Sequence, residues 1–496
     1  MEGKYYGQKA PPVRENRLNA GDGFAGKCCA SLLESGRGGL LTQTCRDFWQ
    51  GNACQMSLTL MMATTIEKAA IVLHGPVGCG SNMHNLGPAV HKGKKCRGLV
   101  PAPLRWLSTN LTEGDIIGGG EAKLMEAILY ADREFRPEII FVVSTCAPSV
   151  IGDDADEIVT RAGAGTRARV VLLDCPGFKS RVVASAYDAF YHGLIRYLPL
   201  EGGPGAGKKG LGPADGARAV NVFNSTSIGQ VDEAEIARLL GELGLRARFY
   251  AEYSNAGKFR GLTGAALNVS LCDIHDDYML GFLWQRFGMP YVMGGMPIGY
   301  GGTRGWLESV AGPLGLGREA GEVADREEGR LRATVEPLLA GLRGKRVLSV
   351  GGIARVMAVS MALKELGLEP IGFHAYHYDD TAIPLLERTQ AELPDLPVAV
   401  SSQDFELFGA VRKFGPDLVI SHSGTQGLLA KMGVPAIQLY DVDRPCLGYK
   451  GLHSLAKRIA FAFANVSFQK RLAAKARFPY NKEWPKHDPY GHIKTT

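Results

Sequence analysis

"AAIVLHGPVGCG", residues 69–80, sets the fold: an unbroken apolar run of strand-forming residues stops at a turn made largely of glycine, with Cys79 inside it. Apolar runs without alternation belong to strands buried on both faces of a parallel sheet. The same pattern recurs along the chain. Between residues 68 and 178 it gives "KAAIVLHGP", "EIIFVVSTC" and "ARVVLLDCPGF", followed further on by "AVNVFNS", "ALNVSLCDIH" and "PYVMGG". A last group holds "KRVLSVGG", "EPIGFHAY", "PVAVSS", "DLVISHSG" and "PAIQLYDVD". The runs end repeatedly in Gly, Ser, Cys or Asp and lead into helix-like stretches, which is the repeating unit of βαβ folds. Three groups predict an α/β protein of three doubly wound, Rossmann-like domains with parallel sheets. Ligand crevices are then expected at the carboxyl ends of the strands.

A chain of 496 residues exceeds one ordinary core, since domains run to roughly 100–200 residues. The expected division is an N-terminal extension (1–50), an α/β domain (51–200), a glycine-rich linker or insertion (201–218), a second α/β domain (219–335), a third (336–465) and a C-terminal tail (466–496). Composition excludes several function classes. Hydrophobic content of 45% with 21% charged residues is that of a globular protein, and a net charge of +6 is too weak to argue for a nucleic-acid partner. The longest apolar region, "SLTLMMATTIEKAAIVL", is broken by Glu67 and Lys68. No membrane association and a cytoplasmic location are therefore expected. "GGPGAGKK" (202–209) matches a nucleotide-loop pattern, but Lys209 stands where a magnesium-binding Ser or Thr is needed and no strand precedes it.

Ten cysteines are too sparse for a disulfide scaffold, and the absence of any C-x-x-C pair removes the zinc-ribbon and ferredoxin patterns. A metal site must then gather thiols from distant parts of the chain. Cys54, Cys79 and Cys146 each stand in or beside a turn, at spacings of 25 and 67. Taken singly, each reads as a small buried hydrophobe. Together they are candidate thiolate ligands to iron, because a glycine turn brings backbone N–H groups close to sulfur with no side chain in the way. The turn at 74–80 lacks the Lys-Ser/Thr of a phosphate loop, so its glycines are expected to cradle sulfur. Cys175, Cys272, the Gly351–Gly352 pair and His422 also lie just past predicted strands.

"CQMSLTLMMATTIEKAAIVLHGPVGCG" (54–80), "LTEGDIIGGGEAKL" (111–124) and "STCAPSVIGDD" (144–154) resemble, in order and spacing, three successive landmarks of the nitrogenase component 1 family. The likeness continues through "GLLAKMGVPAIQL" (427–439) and "RPCLGYKGLHSLAKRI" (444–459), and so covers nearly the whole chain. It implies cluster sites at domain and subunit interfaces, with Cys54, Cys79 and Cys146 binding half of a P-cluster (8Fe–7S) shared with a partner subunit. Cys272, in "ALNVSLCDIHDDYMLGFLWQRFGMPY" (266–291), is otherwise a core thiol at a strand end. By resemblance it matches the D (α) subunit cysteine that holds the terminal iron of the large iron–sulfur cofactor. Gly351 and Gly352 match a glycine pair beneath that cofactor, where a missing side chain permits close backbone approach. Lys431 matches a lysine beside the cofactor's organic acid, and is otherwise a solvated surface lysine.

Departures from the family pattern narrow the implied activity. "PCLGY" (445–449) puts Leu447 where dinitrogenases place the metal-binding histidine. The region around Val183 and Tyr187 lacks the expected glutamine and histidine, the arginine after "GCG" is missing near Leu86 and Gly87, and Ala354 replaces another arginine, with Arg355 adjacent. These losses argue against proton-coupled reduction of dinitrogen while sparing the cluster cysteines. Cys446 and His422, possible replacement ligands, are read as a buried thiol and a satisfied loop histidine, and "FHAYHYDD" (373–380) as a solvated polar loop at the pocket rim. Met62, Val183 and Leu447 predict a soft apolar lining suited to an uncharged thioether.

Within the family this combination is most similar to methylthio-alkane reductases. The resemblance implies a D-type catalytic subunit paired with a homologous K (β) type subunit in an α2β2 heterotetramer, served transiently by an ATP-dependent 4Fe–4S iron protein homodimer. It implies an iron-only, carbide-containing cofactor at Cys272 and reductive cleavage of a small volatile organic sulfide to methanethiol and a hydrocarbon. The alternatives are a non-catalytic scaffold for cofactor maturation or another nitrogenase-like reductase.

Overall fold

The computed structural model describes residues 5–26, 28–46, 54–201, 218–223, 229–422, 424–478 and 480–495. The predicted glycine-rich linker lies, over 202–217, outside them. All eleven apolar runs become strands, distributed over three sheets. The first sheet runs in the order Trp106–Ser108, Ala69–His74, Ile139–Ser144, Arg169–Asp174, every pair parallel. The second runs Tyr291–Met293, Leu267–Ser270, Ala219–Phe223, Arg246–Phe249, again all parallel. The third has six strands: Gly23–Gly26, Val398–Ser401, Glu369–Ala375, Arg346–Gly351, Leu418–Ser421 and Ala436–Gln438. The central strands read as continuous apolar runs because both faces are covered: Ile139–Ser144 and Leu418–Ser421 are buried at every position. The predicted α/β class is therefore the observed one.

Among the described residues, five strands have no signature in the sequence. Trp106–Ser108 and Arg246–Phe249 are edge strands whose residues are only half-buried or exposed, so they carry no apolar run. Gly23–Gly26 ("GFAG") pairs antiparallel with Val398–Ser401 at the edge of the third sheet, and Ile493–Thr495 pairs with Thr44–Arg46. Both termini are thus stitched onto the body of the protein.

The N-terminal helix Arg14–Leu18 contributes more than a strap. The Arg14 side chain is wholly buried and ion-pairs with Asp188 (3.1 Å), Asp277 (3.1 Å) and Asp379 (2.7 Å). Those carboxylates come from the helix Ser185–Tyr197 that follows the last strand of the first sheet, the start of the helix Asp277–Phe287 that joins Leu267–Ser270 to Tyr291–Met293 in the second, and the loop after Glu369–Ala375 in the third. Arg17 donates to Asp188 (2.7 Å) and to Asp277. Burial opposes a charge on Arg14, and the three carboxylates outweigh it, so the guanidinium is held above the ordinary arginine range.

This network overturns one expectation. "FHAYHYDD" is not a solvated loop: His374, His377 and Asp379 are buried, because Asp379 is drawn inward by Arg14 while Gly21 bridges to Tyr378 and covers the turn.

Candidate functional site

The three cysteines of the first domain end separate elements on one side of its sheet. Cys54 is the N-cap of the helix Gln55–Thr65, Cys79 lies in the 3-10 turn Val77–Gly80 after Ala69–His74, and Cys146 opens the helix Cys146–Ile151 after Ile139–Ser144. Gly177, after the next strand, brings the group together: a Cβ there would lie 2.5 Å from Cys54 Sγ and 3.6 Å from Cys146 Sγ. Two sulfurs therefore flank one point that only a glycine leaves free. Burial, then the nearby thiols of Cys146 and Cys54, raise the Cys79 thiol above the usual range. Among the described residues, no three His, Cys, Asp or Glu side chains converge on a single metal-ion position. Cys146 is exposed and Cys54 and Cys79 are half-buried, so the three thiols border the surface.

His74 holds these turns. Its carbonyl accepts from Thr145 N (3.1 Å) and Thr145 Oγ1 (2.9 Å), which ties the strand feeding Cys79 to the residue before Cys146. Its ring bonds Thr109 Oγ1 (3.2 Å) and Asp153 (3.1 Å), and Asp153 accepts from Gly120 N. A Cβ on Gly75 would collide with Thr145 Oγ1. Behind the triad, the Cys175 thiol is fully buried and lies 3.5 Å from Leu173 O. In front, Cys146 is exposed, and Val77 (61%), Val150 (70%) and Phe178 (58%) present large apolar side chains to solvent beside the three turns. Sequence reasoning missed Gly177, Thr145 and Asp153, although "CPGF" and "STCAPSVIGDD" contain them.

A second group forms where the other two sheets meet. Cys272 follows the strand Leu267–Ser270; it is 4% exposed, and burial pushes its thiol up to about 12. Ser270 Oγ accepts from Cys272 N (3.1 Å) and donates to Cys272 O and Asp276, fixing the turn. The His275 ring stacks on Tyr187 with centroids 4.0 Å apart. Arg355 is buried, with Nη1 3.7 Å from Cys446 Sγ, and its charge is felt by Cys272, His275 and His422.

Burial, reinforced by Arg355, depresses His422 to about 3, and burial depresses His377 to about 4, so both imidazoles are neutral. His422 Nε2 and both His377 ring nitrogens are buried without a hydrogen-bond partner, which corrects the expectation of a satisfied His422. Cys446 is a buried thiol as expected, and Asp232 accepts from the backbone N–H of Cys446 (2.7 Å) and Leu447 (2.9 Å). The glycine pair follows the strand Arg346–Gly351: a Cβ on Gly351 would lie 2.9 Å from His422 Cβ, whereas one on Gly352 would meet no atom within 4 Å.

Two expectations fare less well. Lys431 is exposed, on the last turn of the helix Gln426–Met432, and stands outside this enclosed group. Met62 and Leu447 are buried in different apolar clusters, so they form no common soft wall.

The donor set suits soft metal. Several thiols from distant chain segments, neutral imidazoles with free ring nitrogens and a glycine that leaves backbone uncovered are what a large iron–sulfur body requires of a protein. The fold is α/β, and the two thiol groups are donors of the kind that iron–sulfur proteins use. Residues 54–464 match the family described as Nitrogenase component 1 type Oxidoreductase, and the chain belongs to that family. It is 26% identical over 425 residues to the nitrogenase iron-molybdenum cofactor biosynthesis protein NifE of Clostridium pasteurianum, covering 82% of this chain and 86% of that protein. It is 25% identical over 420 residues to the nitrogenase molybdenum-iron protein alpha chain of Methanothermobacter marburgensis, covering 81% and 84%. The solved structure of nitrogenase Cp1 at pH 5 superposes with a TM-score of 0.67 at 19% identity, covering 88% of this chain and 93% of that one, which shows the shared fold. Among the described residues, no helix is long and apolar enough to cross a membrane.

Proposed function

We propose that this chain is the D-type catalytic subunit of a nitrogenase-like methylthio-alkane reductase. The observation that carries the reading is two separate thiol positions in one chain, Cys54/Cys79/Cys146 at an exposed apolar lip and Cys272 buried beneath the surface, with a buried Leu447 at the position that the resemblance gives to a histidine ligand. On this reading the triad holds half of a P-cluster, and the exposed Val77, Val150 and Phe178 form the face that a K-type partner covers. Cys272 holds the large iron–sulfur cofactor, and Gly351 and Gly352 let it lie against the backbone. When bound, these groups supply low-potential electrons, delivered by an ATP-dependent iron protein, for cleaving a carbon–sulfur bond.

The chain's own part is to hold, orient and exclude. Arg355 sets a fixed positive charge beside Cys272 and Cys446, favouring their thiolate forms against the burial that opposes them. The His275 ring is pinned on Tyr187, and burial keeps the His377 imidazole neutral, so neither ring brings a charge that an uncharged thioether would have to desolvate. The net reaction adds two electrons and two protons to the sulfide, giving methanethiol and a hydrocarbon. A cofactor-maturation scaffold is the second reading, supported by relatives named NifE. Turnover separates them: with partner chain, iron protein, ATP and dithionite, a reductase releases methanethiol from ethyl methyl sulfide and a scaffold releases none.

Gly177→Ala offers a structural check. Its new Cβ falls 2.5 Å from Cys54 Sγ, closer than any real contact, so the thiol must move. The triad's iron and its spectroscopic signal are expected to fall while Cys272-linked iron persists. A full iron complement at the triad would contradict its placement.

A further inference from the structure

A second binding site lies on the third domain, away from the thiols. A cleft of ≈ 610 Å³ opens between the strand Ala436–Gln438 and the helices Gly448–Ala464 and Val466–Lys475. Arg458 lines it. Its Nη1 is committed to the carbonyls of Gln438 (2.8 Å) and Leu439 (3.4 Å), whereas Nε and Nη2 are buried without an acceptor. Nε and Nη2 form the side-on edge of a guanidinium, two parallel donors spaced for two oxygens of one oxyanion. Gln469 lines the same cleft, and its Oε1 is likewise buried without a donor. Lys457 and Arg444 stand at the mouth, where Asp441 faces Arg444 at 3.6 Å, so cations predominate. Two buried polar groups left unmatched in one cleft cost free energy that a ligand would recover.

We infer that this cleft binds a phosphate group, with Arg458 gripping two oxygens side-on and Gln469 accepting from a protonated oxygen or a neighbouring hydroxyl. The acceptor is what selects the class. A carboxylate or sulfate satisfies Arg458 but has no proton for Gln469 near neutral pH; hydrogen phosphate satisfies both. The inference does not depend on the thiol groups or on any cluster.

Calorimetry at pH 7 on the full-length protein tests it, with inorganic phosphate, glycerol 3-phosphate, sulfate and acetate as probes. One saturable phosphate per chain is expected, with sulfate and acetate weaker by at least about tenfold. A monoester that binds more tightly than free phosphate identifies an organic phosphate as the natural source, and the reverse order identifies the free anion. Arg458→Lys keeps the charge but removes the fork and should weaken phosphate by about tenfold or more. Because Arg458 also braces two backbone carbonyls, Gln469→Leu serves as the independent variant: it should abolish the preference for phosphate over sulfate while leaving the thermal transition in place. No saturable phosphate, equal affinity for phosphate and sulfate in the unaltered protein, or an unchanged preference in Gln469→Leu would each overturn the assignment.

Discussion

Cys272→Ser is expected to strip the protein of its large cluster and to abolish turnover while leaving the triad's signal in place. A serine hydroxyl is a hard, essentially un-ionised donor and cannot replace a thiolate on iron. The pocket around it would survive, because Cys272 N donates to Ser270 Oγ through the backbone and the Ser270–Asp276 bond does not involve the side chain at 272. Iron content should drop to that of the triad alone, with activity down by about a hundredfold or more, since even a group that merely orients a ligand contributes 10–100-fold. An unchanged iron count would remove Cys272 from the site.

Arg14→Met is expected to be strongly destabilising. It leaves Asp188, Asp277 and Asp379 buried with their main counterion gone, and breaking a buried ionic group from one side costs about 3–5 kcal/mol. Arg17 still reaches Asp188 and Asp277 but not Asp379, so the third domain should loosen first. Thermal unfolding should begin at lower temperature, and limited proteolysis should cut earlier around residues 376–382. Arg14→Lys restores the charge without the three-way fork and should recover only part of the loss. A transition unchanged in Arg14→Met would show that the three domains do not depend on this residue.

The contrast between these two residues shows what a sequence exposes. Strands such as Ile139–Ser144 are legible because burial on both faces leaves a continuous apolar run, and Cys272 is legible because it ends one of them. Arg14 carries no local mark: its three partners lie 174, 263 and 365 residues away, and each looks like an ordinary acidic residue. The same holds for Gly177, whose importance is a distance to Cys54 Sγ across 123 positions of sequence. His377 and His422 were visible as residue types, yet a solvated loop histidine and a buried one with free ring nitrogens share the same letters. Lys431 marks the opposite case, a motif match whose side chain the fold leaves in solvent.

Iron anomalous scattering from anaerobically isolated protein tests the thiol assignment most directly. Two separate bodies of iron density are expected, one bridging Cys54, Cys79 and Cys146 at the Val77–Val150–Phe178 face and one capped by the Cys272 sulfur above Gly352. Protein free of iron, or sulfurs at those four positions touching only carbon, would contradict it.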